Sequence, residues 1–404
     1  MRKLRLIVHT GAPWEPTGYG TQAALLGKWL AKQGHEVFYS ARSGLMYQVA
    51  AYEGMPVLPG APFYGAEWMD DMLPGHIMDI HHGAGPVDAI IVLYDLWNFG
   101  ITPDKLLGVP TLFWAAIDHE RLGPKEYAYL NTGKIYPVAM SRFGQQVIEA
   151  AGFACGYVPH SIETNKWVPL ASLHTQVRDQ FRLPHDRFVI GINGTATDMR
   201  RKMLYEQIRA FAGFHKRHPG TVLMLHTLAN FRWGANVNSM CRDAGLQVRE
   251  WQEDNPDAPV VITPPYAYLR GLPGDTMVSW YNACDLVSNV SNEGFGLAAI
   301  EAQSCGTPVV LLDGSTGPEL AGPGWLVKGQ DVWNETHETR WQLPFIHSIQ
   351  RCYEQAWREW KAGGKAWRDR KHGSWQFAAR YDWETTGPLW DDALEQAGVV
   401  AGED

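Results

Sequence analysis

Two glutamates flank a short glycine loop in the stretch Asp285 to Leu312, DLVSNVSNEGFGLAAIEAQSCGTPVVLL, which reads as strand, tight loop, helix, strand. Gly294 and Gly296, with Phe295 between them, let backbone amides approach a ligand closely. The helix that begins near Leu297 aims its unpaired N–H groups at the same point. A helix N-terminus behaves as roughly half a positive charge, so the loop makes a phosphate seat. Glu301 falls about one turn into that helix, where a carboxylate accepts hydrogen bonds from vicinal ribose hydroxyls. Glu293 stands just before the loop, beside the place of a sugar carried on the diphosphate. A lone Gly-x-Gly ahead of a helix is ordinarily only a tight turn, and it is the two carboxylates that turn this one into a binding site.

Three further groups of residues fit the same chemistry. Arg200, Arg201 and Lys202 stand between a strand and a helix in GINGTATDMRRKMLYEQIRAF. Cations there neutralise a departing diphosphate without a metal ion, and positive charge at a helix start is otherwise disfavoured. In GAPWEPTGYGTQAALL, Gly18 and Gly20 bracket the turn from the first strand into its helix and form a second loop able to face phosphates. The strand in PTLFWAAIDHERLG ends with Asp118 and His119, at the edge where parallel sheets display functional groups. His76, His81 and His82 with Asp79 fall where no element is assigned and read as surface residues. With no Asp-x-Asp clamp in the chain, no metal is expected. Trp14, Trp68, Trp97 and Trp114 offer faces for stacking on a sugar or base, although core packing is the ordinary use of such side chains.

Stacked βαβ units must hold these groups. Strands are expected at Leu4 to His9, His35 to Ala41, Val87 to Tyr94, Thr111 to Ile117 and Tyr136 to Ser141, with a helix from Gln22 to Gln33 that stops at Gly34. Val158 to Gln176 loses periodicity and reads as a linker. A second series then runs from the strand Phe188 to Asn193, through a helix at Lys202 to Lys216, to the helix Leu297 to Ser304 and the strand Pro308 to Leu312. The chain after about Leu343 is helical and rich in tryptophan. Its 404 residues exceed what one core usually serves. Residues 1–165 are therefore assigned to one α/β domain and 170–375 to another, with a ligand cleft expected between them.

Composition narrows the partners. A formal charge of -8, spread along the chain, argues against a broad basic face for nucleic acid. Five scattered cysteines suggest neither a zinc knuckle nor a disulfide framework and fit a reducing cytoplasm. The start, MRKLRLIVHTG, reads as a strand rather than a leader, and no run approaches the ~20 apolar residues of a membrane span.

The spacing Glu293-GFGLAAI-Glu301, with the flanking strands and the CGTPVV ending, resembles the Glu-x7-Glu signature of retaining glycosyltransferases of the GT-B fold, family 4. The resemblance implies two Rossmann-like domains facing across a cleft, with helices at about 376–404 crossing back to the first. It also implies a nucleotide diphosphate sugar of UDP or GDP type as co-substrate and no bound cofactor. Glu293 would contact the donor sugar's hydroxyls and Glu301 the ribose, while Gly18, Gly20, Gly294, Phe295, Gly296 and Leu297 would line the diphosphate. Lys202 matches the family's lysine after the first strand of the second domain, and Arg201 stands in for its arginine, whose own position holds Thr195 or Ala196. The position of Asp118 and His119 resembles that of the family's histidine or aspartate at the acceptor side of the cleft, which makes both acceptor-site candidates. GYVPHSIETNKWVP, with His160 and Ser161, resembles its PNGVD segment, and DGSTGPELAGPGWLV offers Glu319. The sugar would keep its anomeric configuration, and the acceptor is left open among glycan, lipid headgroup, protein and modified DNA base. A sugar-nucleotide epimerase and a non-catalytic nucleotide-sugar binder are the alternatives.

Overall fold

The structure, a computed structural model, describes residues 3–60, 70–195, 199–230, 236–255 and 257–399. It divides into two compact units. One comprises Met1–Ser161, Asn334–Thr339 and Trp383–Asp404, and the other Ile162–Trp333 and Arg340–Asp382. The six residues Asn334–Thr339, which the sequence reading left in the second domain, thus cluster with the first.

The first unit is built on an eight-stranded sheet. Its strands are β1 (Arg5–Thr10), β2 (Glu36–Ala41), β3 (Ala50–Tyr52), β4 (Met55–Leu58), β5 (Ala89–Tyr94), β6 (Thr111–Ala115), β7 (Ile135–Ala139) and β8 (Gly156–Tyr157). Their order is β3-β4-β2-β1-β5-β6-β7-β8, and β3 pairs antiparallel with β4. Helices α1 (Gly18–Lys32), α2 (Leu73–Gly83), α3 (Pro124–Leu130) and α4 (Arg142–Ala150) belong to it. β5, AIIVLY, is buried throughout, because a central strand of a parallel sheet is covered on both faces and needs a continuous apolar run.

The second unit holds a seven-stranded sheet. Its strands are β9 (Val189–Asn193), β10 (Val222–His226), β11 (Val248–Glu250), β12 (Val260–Ile262), β13 (Leu286–Asn289), β14 (Val309–Leu312) and β15 (Trp325–Val327), in the order β11-β12-β10-β9-β13-β14-β15, and every described pair is parallel. A separate hairpin follows, β16 (Gly329–Asn334) and β17 (Thr339–Pro344), whose tip is the segment that clusters with the first unit. The helices are α5 (His174–Gln180), α6 (Met199–Lys202), α7 (Leu204–Arg217), α8 (Val237–Asp243), α9 (Pro265–Arg270), α10 (Gly274–Ala283), α11 (Leu297–Ser304), α12 (Gly317–Leu320), α13 (Ile346–Ala362) and α14 (Gly364–Ala378). The chain ends in α15 (Trp383–Thr386) and α16 (Leu389–Gln396), both within the first unit.

In each sheet the strand order reverses beside the first strand, between β1 and β5 and between β9 and β13. Loops leaving two such strands diverge to opposite faces and open a crevice at their carboxyl ends, where doubly wound sheets bind ligands. The glycine loop follows β13 and the Arg200–Lys202 segment follows β9, and in register Leu286 lies beside Ile190 and Val287 beside Gly191. Two segments distant in sequence therefore reach one crevice.

Three expectations need correction. The first helix begins at Gly18, four residues before Gln22, because Thr17 caps it: its hydroxyl accepts from the Gly20 amide at 3.0 Å. Gly18 and Gly20 lie in the first helical turn, and the Gly20 amide is already engaged. The helix placed at Lys202 to Lys216 is broken at Met203, whose left-handed backbone (φ 48°) separates α6 from α7 and leaves Lys202 at the end of a short turn. His76, His81 and His82 lie on α2 rather than on a loop. His76 is buried with its Nδ1 2.8 Å from the Ser40 hydroxyl, while His81 and His82 are exposed, so the three do not converge.

Candidate functional site

In the second unit Glu293 is held by cations. Its Oε2 accepts from Arg201 at 2.9 Å, and its Oε1 from Lys202 at 2.5 Å and from the Ser291 hydroxyl at 2.8 Å. Burial alone would raise its proton affinity, but Lys202 and then Arg201 outweigh that, and its pKa falls below the usual carboxylate value. The group is therefore ionised and fixed. The loop behind it is tied down as well. The Thr316 hydroxyl donates to the Phe295 carbonyl at 2.6 Å, Asn292 exchanges hydrogen bonds with the Gln342 backbone, and the Asn292 amide donates to the Arg201 carbonyl at 3.1 Å.

Gly296 precedes α11 with φ 116°, a left-handed conformation that admits glycine and little else. No described side chain caps this helix start; the Ala299 amide donates to the Gly296 carbonyl at 3.0 Å, which leaves the Leu297 and Ala298 amides as the donors a ligand would meet. Glu301, in the same helix, has the opposite environment to Glu293. It accepts from the Tyr281 hydroxyl at 2.7 Å but has no cation of the described residues against it, and burial pushes its pKa up to about 7. Tyr281, which the sequence reading missed, in turn accepts from the Asn193 side-chain amide at 2.7 Å. Among the residues singled out beforehand, Glu293, Gly294, Phe295, Gly296, Leu297, Glu301, Arg201 and Lys202 share this corner of the second unit.

Asp118 and His119 follow β6 in the first unit. His119 is fully buried, with Nδ1 2.9 Å from Asp118 Oδ1 and Nε2 2.7 Å from Glu126 Oε2. Burial alone would favour the neutral ring, but the two carboxylates prevail and lift its pKa to about 10. His119 is thus an imidazolium lodged between acids, and it presents Asp118 rather than itself. Glu126, another residue missed from the sequence, also accepts from the Gly123 amide at 2.7 Å, which makes it the capping glutamate of α3.

Asp118, His119 and His337 bring possible ligand atoms within 4.8 Å of one another, the one such group among the described residues. The His119 and His337 rings are stacked, with centroids 4.7 Å apart and planes at 23°. A metal bound through His119 would have to displace a carboxylate from one of its ring nitrogens.

The remaining candidates have other duties. Trp114 is core, with its indole N–H on the Val158 carbonyl at 2.7 Å and its ring against His160 and Trp390. Trp97 packs edge-on to His337. Trp14 is 41% exposed and donates to the Gly44 carbonyl. Ser161 is held by the Gln22 side-chain amide, and Glu319 lies on α12. Trp68 and Ala196 lie outside the described residues.

Residues 250–339, with the glycine loop and Glu301 at their centre, match the family described as Glycosyl transferases group 1. The match covers part of the second unit and runs to the end of the segment Asn334–Thr339, and the two Rossmann-like sheets have the GT-B fold. The chain is 30% identical over 164 residues to a D-inositol 3-phosphate glycosyltransferase of Corynebacterium jeikeium, which covers 40% of this chain and 36% of that one. It spans less than half the length of that relative and of a second, from Stackebrandtia nassauensis. Among solved structures, sucrose-phosphate synthase of Thermosynechococcus elongatus superposes with a TM-score of 0.71 at 16% identity, over 97% of this chain and 98% of the other. HepE of Anabaena, solved in complex with UDP and glucose, gives 0.63 at 15%, over 97% and 100%. No described helix is long and apolar enough to cross a membrane.

Proposed function

We propose that this protein is a retaining glycosyltransferase of family 4 that moves a sugar from a UDP- or GDP-type nucleotide sugar to an acceptor hydroxyl without a metal ion. The observation that carries the reading is the ionised Glu293, clamped by Arg201 and Lys202 next to the uncapped start of α11 at the switch point of the second sheet. The similarity to D-inositol 3-phosphate glycosyltransferases supports glycosyl transfer, and the shared fold with HepE, solved with UDP and glucose, is in keeping with a UDP-type donor.

In this mechanism the amides at Leu297 and beyond receive the diphosphate, and Glu301 takes the ribose hydroxyls. Glu293 accepts hydrogen bonds from the sugar. Lys202 and Arg201, already aligned on Glu293, lie where negative charge gathers as the anomeric carbon–oxygen bond breaks, and their fixed positions stabilise it without reorganisation. The acceptor hydroxyl attacks from the face the leaving diphosphate vacates and passes its proton to a phosphate oxygen, which accounts for retention without a covalent intermediate. On the first unit we assign Asp118, oriented by His119, to the acceptor. Gly18 contributes at most one amide to phosphate, since the Gly20 amide serves Thr17.

The test is a thermal-shift screen of nucleoside diphosphates and their sugars, followed by product analysis of each binder with and without glycan, polyol-phosphate, peptide and DNA acceptors. A ligand at 100 times its dissociation constant adds about 2.7 kcal/mol. Stabilisation by a UDP- or GDP-sugar and an α-configured product from an α-configured donor support the reading. An epimerised donor, or binding with no turnover and no slow donor hydrolysis, refutes it.

A further inference from the structure

Asn193, Tyr281 and Glu301 form a chain of hydrogen bonds across the switch point, from the last residue of β9 through α10 to the helix that follows β13. The direction of every proton in it is fixed by chemistry. The Asn193 Nδ2 group can only donate, so the Tyr281 oxygen accepts there at 2.7 Å. The phenol's single proton is then left for Glu301 Oε2, also at 2.7 Å.

Tyr281 cannot turn away. It is fully buried, its ring meets Trp280 edge-on at 5.2 Å and Trp167 at 5.7 Å, and its carbonyl accepts from the Thr307 hydroxyl at 2.9 Å. The Glu301 oxygen Oε1 takes no hydrogen bond from a described residue. One carboxylate oxygen is anchored and the other remains for a ligand.

From this arrangement we infer that Tyr281 and Asn193 are positioning residues for nucleotide recognition: they fix Glu301 so that its second oxygen reads the vicinal hydroxyls of the donor's ribose. The inference rests on the donor reading above. It adds two residues outside the Glu-x7-Glu pattern and assigns them a chemical discrimination, ribose against deoxyribose. The phenolic hydrogen bond also favours the ionised carboxylate and opposes the burial that raises Glu301 to about 7. Without it, Glu301 would hold its proton to still higher pH.

Calorimetric titration of the full chain with UDP, GDP and their 2′,3′-dideoxy counterparts tests this. The wild type is expected to bind one ribonucleotide about tenfold or more tighter than its dideoxy form, the scale of a hydrogen bond to a charged group. In Tyr281→Phe and in Asn193→Ala that ratio should shrink to about twofold, with dideoxy affinity unchanged and the pH midpoint of ribonucleotide binding displaced upward. With the natural donor, KM should rise while kcat holds. A merely structural role would weaken both nucleotides alike and leave the ratio at its wild-type value, which overturns the inference. If Glu301→Gln abolishes the ratio but Tyr281→Phe and Asn193→Ala preserve it, the donor reading stands and the positioning role fails. If the wild type binds neither UDP nor GDP, the donor reading falls and takes the inference with it.

Discussion

Glu293 and Glu301 flank the same glycine loop, yet their surroundings move their proton affinities in opposite directions, and the difference sorts their roles. Glu293 sits against Lys202 and Arg201 and stays ionised. Glu293→Gln keeps the shape but lowers the charge that orients sugar and cations together. Its expected effect is a drop in kcat on the order of 100-fold, with less than about threefold change in nucleotide affinity by titration. An unchanged turnover would remove Glu293 from the mechanism. Glu301, raised from 4.5 to about 7 by burial, binds its proton more tightly in the folded protein than in the unfolded chain. Its contribution to stability therefore declines as pH rises from about 4.5 to about 7. Ribose hydroxyls need an acceptor, so ribonucleotide affinity should climb over the upper part of that window and level off above it. Titrations at a series of pH values should show the climb in the wild type and lose it in Glu301→Gln. Both glutamates were legible in the sequence from their types and spacing. Glu126 and Tyr281 were not, because their partners His119 and Asn193 become neighbours only through α3 and through the approach of α10 to the end of β9.

At the scale of elements, Gly296 connects β13 to α11. Its φ of 116° is one that an alanine adopts only under strain. Gly296→Ala should cost about 1–3 kcal/mol of stability, seen as a lowered Tm. Nucleotide affinity should fall further than that strain accounts for, since the first amides of α11 would turn from their ligand. Binding that survives intact would show that the loop is not the diphosphate seat. Helix α11 matches the range expected from its sequence, Leu297 to Ser304, because its start is marked by glycine and its end by the Cys305-Gly306 turn. Helix α1 starts earlier than its apolar periodicity indicates, since Thr17 supplies a cap that carries no hydrophobic signal. The break at Met203 is likewise invisible to periodicity. The residue is apolar and buried, and only its left-handed backbone separates α6 from α7.

At the scale of the whole molecule, the chain's last helix closes the first unit. Trp390 of α16 is buried with its ring 4.8 Å from that of Trp114 on β6, nearly perpendicular to it. Trp390→Ala removes that packing and should destabilise the first unit by roughly 3–5 kcal/mol in calorimetry or denaturant titration. A loss below about 1 kcal/mol would mean α16 is only a surface cover. The same scale explains why the division of the chain was only partly legible. The sequence offers the first domain two pieces, 1–165 and the helices at about 376–404, but the first unit collects three, including the six residues at the tip of the β16–β17 hairpin. No local pattern marks Asn334–Thr339 as belonging there; His337 stacking on His119 does.

What the sequence determined by itself was local and periodic: the alternation of strands and helices, the glycine loop before α11, and the pair of carboxylates at its two ends. Those features need only neighbouring residues to be read, because backbone freedom and helix geometry act over a single turn. The tertiary structure alone decided proton affinities and partners. It paired Glu293 with Lys202, set Glu301 on Tyr281 and Tyr281 on Asn193, and enclosed His119 between two acids. The physical reason is that charge and burial act through space: Glu293 and Lys202 meet because the strand order brings β9 beside β13, and His119 is enclosed because α3 carries Glu126 back to it.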